Sequence, residues 1–600
     1  PQGARFTAVL AFDADNDGRL DLAAAGPGGV VVLGQRGTPA APSFQPLAVE
    51  SGPKSATALV AADLDADGDL DLVAAGEGGL HRLTNEGGNK NHWLDVRLRA
   101  LTTGSGKNNL QGLGAVLEVR AGTAYQLREA AAEVTHFGLG KLREADVLRV
   151  VWTNGVPQDR LQPGVDQRVV EQQLLKGSCP FLYAWTGDRF TFVTDLLWNS
   201  PVGLPVAPGV YARPDPDELV RVDGAQAVDG VYRLRITEEL WEAAYFDAVR
   251  LWVVDHPAEA EVASRLKVVP GERQPVGVLA ARGLRPVAAA WDGRGEDVTA
   301  RVRARDEVYA GGYEPSPYQG VARAWAFTFD LGDVSDVSDG GEAPAAPVRL
   351  FLDGWMFPAD ASLNLAAAQR PDLPYLPPRL EVETAGGWQV LVPAMGFPAG
   401  KTKTMVVDTP PLPAGAHRLR IVTSLWLAWD RIAWTRDSAA AADAEPQIRA
   451  RLGPRSAELR YRGFSALVRR SPNGPHGYDY GRVASASPWL PFAGHYTRYG
   501  DVRELLAATD DRSVVMAPGD EIALEFDAGG LEPLPPGWKR TVFLQSQGWD
   551  KDADRNTWEA QHVEPLPFRA MQQYGDPLPD TPELRDYLAR WLTRVVPLEP

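Results

Sequence analysis

Two short segments near the start of the chain place aspartates at alternate positions of the pattern DxDxDGxxD. The aspartates are Asp13, Asp15, Asp17 and Asp21 in loop 1 (residues 13–21) and Asp63, Asp65, Asp67 and Asp71 in loop 2 (residues 63–71). Carboxylates at this spacing can converge in a tight loop, and Ca²⁺ takes about six to eight oxygen ligands. Gly18 and Gly68 lie where the chain must turn, which favours a positive φ. The spacing predicts two calcium sites, with the backbone carbonyls of Arg19 and Asp69 as further ligands.

Two other interpretations of these loops can be compared with the sequence, and the first, an EF-hand, fails. An EF-hand requires a Glu at the twelfth loop position and a helix on each side. That position is Ala24 in loop 1 and Ala74 in loop 2, and the flanking runs of Ala, Val and Leu predict short strands. The other alternative is a pair of solvated acidic turns without metal. Two copies in matched contexts favour the cation.

The loops belong to an internal repeat. Residues 7–37 and 57–87 align without a gap at an offset of 50, and such a period indicates a repeat architecture. Residues 1–88 resemble the FG-GAP repeats, also called VCBS-type repeats, of integrin-type β-propellers. The resemblance implies that the loop aspartates hold Ca²⁺ on a propeller blade. A closed propeller needs about four to eight blades, so we expect a propeller fragment here, with further repeats and an export signal upstream of Pro1.

Residues 89–172 form a second predicted β module. It resembles the ASPIC/UnbV domain, which follows FG-GAP repeats in bacterial relatives of cartilage acidic protein. The matching motifs are Asn91-His92-Trp93-Leu94, Gly112-Leu113-Gly114-Ala115, Gln126-Leu127-Arg128-Glu129, His136-Phe137-Gly138-Leu139-Gly140 and Val150-Val151-Trp152. The family's Gly-rich stretch is replaced by Ala130-Ala131-Ala132, and the family implies no catalytic residue. His92 and His136 could form a metal site with Asp95, but their strand-like contexts favour structural roles.

The sequence predicts that the rest of the chain forms mostly β modules. We predict a β-rich module at 173–310, a β-sandwich or jelly-roll-like module at 311–436 and a β-rich module at 447–600. The predicted sandwich strands are Ala324–Phe329, Val348–Leu352, Arg379–Glu383, Trp388–Val392, Thr404–Val407, Leu419–Thr423 and Leu427–Ala433. Helical spacing predicts a short C-terminal helix over Glu583–Val595 and permits another over Glu238–Tyr245.

Weaker candidates for chemistry lie further along the chain. Asp550, Asp552, Asp554 and Asn556 form DxDxDxN, which could bind a cation or could be a solvated turn. A sugar subsite could be built from Asp353, Asp360 and Asp430 beside Trp355 and Trp429, although the same pattern is common in a sandwich core. Cys179 is more typical of a small buried residue than of a nucleophile. Hydrolase, protease and nucleotide-binding motifs are missing from the sequence.

Composition excludes some classes of function. A formal charge of −17 argues against nucleic-acid binding. A single cysteine excludes an internal disulfide framework, and no apolar run is long enough to span a membrane. We therefore predict a non-catalytic, calcium-binding adhesion or binding protein of the periplasm, cell surface or extracellular space. Its partner would be a protein or a glycan, within a larger surface assembly. The alternative is a polysaccharide-acting hydrolase.

Overall fold

The computed structural model describes residues 5–597 except 39–40, 101–107, 154–156, 174–179, 315, 317, 335–346, 437–445, 469, 472, 486, 488–491, 555 and 561. The chain folds as two units, the first unit (residues 1–175) and the second unit (residues 176–600). Cys179 lies outside the described residues. The five-module division drawn from the sequence remains a prediction.

Short strands joined by glycine turns make up the first unit. They are β1 (Ala8–Phe12), β2 (Asp21–Gly26), β3 (Gly29–Thr38), β4 (Ala41–Leu47), β5 (Ala56–Ala62), β6 (Asp71–Gly76), β7 (Gly79–Leu83), β8 (His92–Arg99), β9 (Val116–Ala121), β10 (Ala124–Glu129), β11 (Val134–Gly140), β12 (Val147–Val151), β13 (Pro157–Leu161) and β14 (Gln167–Gln172).

Each sequence repeat forms its own antiparallel sheet. The order is β1-β2-β3-β4 in the first repeat and β5-β6-β7 in the second. Loop 1 joins β1 to β2, where Phe12 pairs with Asp21, and loop 2 joins β5 to β6, where Ala62 pairs with Asp71. The two repeats, offset by 50 residues in the sequence, therefore form equivalent strands and loops. Their sheets fit propeller-like blades.

The remainder of the first unit forms two more sheets around one apolar core. Their orders are β10-β9-β12-β13 and β11-β8-β14, and β14 runs parallel to β8. Alternating side chains such as Leu117, Val119, Leu148 and Val150 are buried in this core, as expected for strands with one buried face.

The second unit contains the remaining strands. They are β15 (Phe181–Trp185), β16 (Phe190–Asp195), β17 (Pro205–Ala207), β18 (Val210–Tyr211), β19 (Asp217–Arg221), β20 (Val231–Thr237), β21 (Glu242–Pro257), β22 (Glu261–Ser264), β23 (Val278–Ala281), β24 (Arg285–Pro286), β25 (Ala289–Trp291), β26 (Val321–Asp330), β27 (Arg349–Met356), β28 (Arg379–Thr384), β29 (Gly387–Val392), β30 (Lys403–Asp408), β31 (Arg418–Leu425), β32 (Leu427–Thr435), β33 (Gln447–Leu452), β34 (Ser456–Tyr461), β35 (Phe464–Val468), β36 (Gly477–Ala484), β37 (Gly494–Tyr496), β38 (Gly500–Asp501), β39 (Val514–Met516), β40 (Asp520–Asp527), β41 (Trp538–Asp552) and β42 (Arg594–Val596).

Two sheets of the second unit join distant parts of the chain. One has the order β16-β15-β20-β40-β34-β38, and the other has the order β19-β41-β21-β33 with β39 beside β21. They share one apolar core, to which β20, β21, β40 and β41 contribute buried Ile236, Leu251, Leu524 and Leu544. Strands from 173–310 and from 447–600 thus lie in the same sheets, although the sequence analysis assigned them to different modules.

The sandwich predicted in the middle of the chain is confirmed. Sheet β24-β32-β27-β30 packs on sheet β25-β26-β31-β28-β29 around one core. All seven predicted strands are present as β26 to β32, and their ends differ from the predicted ends by a few residues. Side chains from both sheets, such as Phe327, Leu350, Ile421 and Ile432, are fully or almost fully buried between them.

The described residues contain two α-helices, α1 (Ala361–Ala368) and α2 (Pro582–Trp591), and two short 3₁₀ helices at Gly88–Lys90 and Thr299–Val302. The predicted C-terminal helix is confirmed, but it ends at Trp591. It begins where Thr581 Oγ1 accepts a hydrogen bond from Leu584 N at 3.2 Å. None of the helices in the described part of the chain has the length and apolar character needed to cross a membrane.

The helix permitted over Glu238–Tyr245 is wrong. Residues 242–245 begin strand β21, which pairs with β41 along its whole length. Both faces of β21 are buried, so its near-continuous apolar run gives no period that would distinguish a strand from a helix.

Candidate metal centre

Loop 1 brings three of its four aspartates together. One oxygen each of Asp13, Asp15 and Asp21 lies within 4.8 Å of the others. The backbone holds two of them, because Asp13 Oδ2 accepts from Gly18 N at 2.8 Å and Asp21 Oδ2 accepts from Ala14 N at 2.8 Å. Gly18 has the predicted positive φ, +87°. The carboxylates therefore converge as a cation site requires.

Loop 1 is shielded from water. Asp13 and Asp21 are 4% and 0% exposed. Burial raises the pKa of Asp13 to about 7, although the Gly18 N–H opposes the shift. Asp15 Oδ1 is buried and has no hydrogen-bond partner among the described residues. Such an oxygen costs free energy, and a divalent cation would supply both a partner and the neutralising charge. The residues present therefore fit Ca²⁺.

Asp17, the fourth predicted ligand of loop 1, lies outside this group. Its Oδ1 accepts from Arg19 N at 2.9 Å, and its Oδ2 accepts from Arg19 Nε at 2.8 Å. The Arg19 side chain thus neutralises Asp17. The sequence predicts only a carbonyl role for Arg19, whereas its side chain forms an ion pair that the spacing of two residues allows.

Strand β11 closes loop 1 from the side. Asn16, which is fully buried with a φ of +54°, donates from Nδ2 to Gly68 O at 2.8 Å. Its Oδ1 lies 2.7 Å from Nε2 of His136, whose Nδ1 lies 2.8 Å from Asp95 Oδ1. Gly140 N donates to Asn16 O at 2.7 Å. His136 therefore holds the turn of loop 1 in place, a structural role. His92 is separate and contacts Asp166.

Loop 2 gathers a different set of aspartates and is more open. Oxygens of Asp63, Asp65 and Asp67 lie within 4.8 Å of one another, and these side chains are exposed or half-buried. Asp71 is fully buried and accepts from Asn85 N at 2.7 Å through Oδ1. Gly68 has the predicted positive φ, +95°. The two loops thus have a similar backbone conformation at their glycines but differ in the exposure of their aspartates.

A guanidinium reaches into loop 2. Arg82 Nη2 donates to Asp71 Oδ2 at 2.8 Å and also contacts Asp65 Oδ2. Arg82 lies on β7, and its equivalent 50 residues earlier is the apolar Val32 on β3. Nothing in the spacing of the aspartates signals this contact, although the difference between the two repeats at this position is visible in the sequence.

Asp69 is the most unusual carboxylate of loop 2. It is fully buried, and burial raises its pKa to about 6. Its Oδ2 accepts from Asn89 N at 3.1 Å, whereas Oδ1 has no partner among the residues that the structure describes. The sequence analysis gave this residue only a carbonyl role. Asp69 is not among the converging carboxylates of loop 2, so the fit of this loop to a cation rests on Asp63, Asp65 and Asp67.

The four candidates of the DxDxDxN segment are not brought together in the described structure. Asp552 Oδ1 accepts from Asp554 N at 3.0 Å, and Asp554 Oδ1 accepts from Asn556 N at 2.9 Å, so these two carboxylates cap turns. The segment instead continues strand β41, which the sequence pattern did not reveal. Asp550 instead lies near two acids of a distant segment. Oxygens of Asp550, Glu238 and Glu242 lie within 4.8 Å of one another.

The aspartates of the hypothetical sugar subsite have structural partners. Asp353 is buried and binds Arg431 Nε and Arg305 Nη2, the latter at 2.7 Å. Asp360 caps helix α1 by accepting from Leu363 N at 2.9 Å. Asp430 is buried, which raises its pKa to about 6. Trp355 and Trp429 belong to the sandwich core.

Comparison with known families agrees with the geometry of the loops. Residues 13–106 match the FG-GAP-like repeat family. The match covers both aspartate loops and strands β2 to β7, so the first unit contains FG-GAP-like repeats. A comparison with curated proteins finds no match.

Seven solved chains resemble this one weakly. The mycobacterial arabinofuranosyltransferase AftD is 10% identical over 83% of this chain and 32% of its own, with a TM-score of 0.13. A triple jelly-roll protein of an archaeal virus turret is 6% identical over 56% of this chain and 90% of its own, with a TM-score of 0.11. The chain spans about a third of the transferase, and such scores carry no argument about fold or function.

Proposed function

We propose that the FG-GAP-like repeats bind two calcium ions, one in loop 1 and one in loop 2, and that these ions stabilise the first unit. The observation that carries the proposal is the convergence of oxygens from Asp13, Asp15 and Asp21 in loop 1, where Asp15 Oδ1 is buried and has no hydrogen-bond partner in the described structure. Oxygen-rich loops on a rigid frame suit Ca²⁺ rather than softer metals. The matched loop 2 supplies the second site.

Calorimetric titration of the metal-stripped full chain tests this proposal. We expect two calcium equivalents to bind in the wild type. Asp15→Asn should remove the ion of loop 1 and Asp67→Asn that of loop 2, each leaving one equivalent. Asp188→Asn, which changes an exposed carboxylate of the second unit, is the matched control and should bind two. Absence of heat on calcium addition to the wild type would contradict the proposal.

We further propose that the chain is a non-catalytic binding or adhesion protein of the cell surface, periplasm or extracellular space, working as a subunit of a larger assembly. FG-GAP repeats are typical of extracellular proteins, and permanently filled calcium sites suit compartments rich in calcium. Residues 89–172 are proposed as an ASPIC/UnbV-like domain that supports loop 1. The engagement of Asp353 with arginines favours this function over a hydrolase.

Fractionation of the source cells tests the location. We expect the protein in the periplasmic, surface or secreted fraction, tracked with an antibody against the second unit and compared with a cytosolic marker. Recovery only with the cytosolic marker would contradict this part of the proposal and leave the calcium sites untouched.

A further inference from the structure

The second unit has a cleft of about 300 Å³ between residues 213–216 and residues 568–574. We call it the arginine cleft, because Arg213, Arg273 and Arg569 all line it. This volume is at the lower end of the range for small-ligand sites. It accommodates a small ligand or one terminal residue of a larger molecule.

The charge of the arginine cleft is opposite to that of the protein. Three guanidiniums line it and no carboxylate does, whereas the whole chain has a formal charge of −17. Arg213 and Arg273 are exposed and make no hydrogen bond or ion pair with the described residues. Clefts lined by one sign of charge concentrate ligands of the opposite sign. The arginine cleft therefore selects anions.

Acids near the cleft do not cancel this charge. Asp217 Oδ2 accepts from Arg569 Nη1 at 3.0 Å, and Asp511 and Asp576 accept backbone N–H groups of Arg569 and Gln572. Asp215 is buried, which raises its pKa, while the charge of Arg273 lowers it, so this carboxyl offsets part of the charge of Arg273. Only one of the three guanidiniums is thus neutralised by an ion pair in the described structure.

Arg569 contributes charge to the cleft but no accessible pair of donors. Its Nη1 donates to Asp217 Oδ2, and its Nε and Nη2, which have no acceptor among the described residues, are buried. Direct contact with a carboxylate therefore falls to the exposed guanidiniums of Arg213 and Arg273. A guanidinium edge with two N–H donors matches the two oxygens of a carboxylate.

The remaining lining suits a polar ring. Pro214, Pro216 and Phe568 are among the apolar residues that line the cleft, and Phe568 is 6% exposed. The side chains of Gln572 and Gln573 lie at the exposed rim. Amides beside guanidiniums can hydrogen-bond hydroxyl groups, and the apolar walls can pack against ring carbons.

We propose that the arginine cleft binds the carboxylate of an acidic sugar, such as a uronic acid residue of a polysaccharide. This inference extends the proposed binding function by naming the class of ligand. The calcium loops lie in the first unit and the cleft in the second, so failure of one proposal leaves the other standing.

Titration of the full chain with short oligogalacturonates tests the inference, with the methyl-esterified oligomers as matched neutral ligands. The acidic oligomers should bind, and the esters should bind at least about tenfold more weakly because the ester lacks the charge. Arg213→Gln and Arg273→Gln change exposed side chains and should keep the fold, and each should weaken binding about threefold or more. Arg455→Gln, outside the cleft, should bind like the wild type.

Several results would overturn the inference. These are no binding of the acidic oligomers at about 10 mM, equal binding of the esters, and unchanged binding in both arginine variants. Equal affinity for a poly-glutamate peptide or inorganic sulfate would exclude a sugar-specific site. Oligogalacturonates bind calcium themselves, so titrations are repeated with chelator. Binding that disappears only in chelator would assign the contact to a calcium bridge, against the proposal.

Discussion

At the scale of single residues, arginines contact the two calcium loops differently. Arg82 contacts both Asp65 and Asp71 in loop 2, the latter at 2.8 Å. In loop 1 the nearest arginine to the converging carboxylates is Arg36, whose Nη1 lies 3.4 Å from Asp15 Oδ2 alone. A guanidinium among the ligands offsets their mutual repulsion but must be displaced when a metal enters. Loop 2 should therefore bind calcium more weakly than loop 1.

Arg82→Val should tighten calcium binding at loop 2. Removing the competing guanidinium should raise the affinity roughly two- to fivefold, the effect expected of exposed ion pairs. Calorimetry on an Asp15→Asn background isolates loop 2. Arg82→Lys keeps the charge and should stay close to the wild type, and an unchanged or weaker affinity in Arg82→Val would refute the competition.

Glu218 makes the second unit sensitive to pH. It is 1% exposed, and burial raises its pKa to about 7 while Lys403 opposes the shift. Because the folded-state pKa is raised, the folded protein holds this proton more tightly than the unfolded chain does. Stability should fall as pH rises from about 4.5 to about 7 and then level off.

Glu218→Gln should remove this pH dependence and raise the melting temperature of the second unit at pH 8. The expected gain is roughly 1–3 kcal/mol, since the neutral amide needs no proton. Melting curves at pH 5 and pH 8 measure it. Asp188→Asn is the exposed control, and an equal response of both variants to pH would contradict the assignment.

At the scale of elements, β11 is pressed against loop 1. A Cβ on Gly138 would overlap Asp13 Oδ2 and lie 2.6 Å from the backbone of Asn16. This close approach brings the residues of β11, including His136, within reach of the turn. Loop 1 is therefore shaped partly by a strand more than 100 residues further along the chain.

Gly138→Ala should impair calcium binding at loop 1 although it changes no ligand. The added methyl should displace loop 1 from β11 at a cost of about 1–3 kcal/mol, the usual penalty of overpacking. Calorimetry should show a weakened loop 1 and an unchanged loop 2. Gly28→Ala, with open space around its added Cβ, is the control. Wild-type binding in Gly138→Ala would contradict the coupling.

At the scale of the whole molecule, calcium should stabilise one unit and not the other. Both aspartate loops lie in the first unit, so a ligand that binds only the folded state stabilises that unit by about 2.7 kcal/mol at a hundredfold excess over Kd. Scanning calorimetry with and without chelator should shift the transition of the first unit only. A shift of both transitions, or of neither, would contradict this expectation.

Local patterns carried most of what the sequence could predict. Alternate aspartates and a glycine define each loop, and alternating apolar residues define strands such as Arg379–Thr384 and Val116–Ala121. These signals lie within a few residues of one another. The turn glycines Gly18 and Gly68 have the expected positive φ for the same local reason.

Contacts between distant segments could not be predicted in this way. Three features depend on tertiary packing. They are the hydrogen bond between His136 and Asn16, the ion pair of Arg82 with Asp71, and the lining of one cleft by both Arg213 and Arg569. A single sequence gives the type of each residue but not its neighbours in space. The DxDxDxN segment shows the converse, since its local pattern resembles a loop while β41 extends into it.

The pairing of β21 with β41 also has a consequence for synthesis. Trp252 Nε1 on β21 donates a hydrogen bond to Oε1 of Gln545 on β41, which lies 293 positions further along the chain, and a ribosome adds about 5–20 residues each second. Strand β21 therefore waits roughly fifteen seconds to a minute for its partner to be translated. The sandwich strands made meanwhile can pair among themselves, but β21 has both edges open until β33 is made and one edge open until β41 follows. That interval is when it most needs a chaperone, because unpaired strand edges promote aggregation.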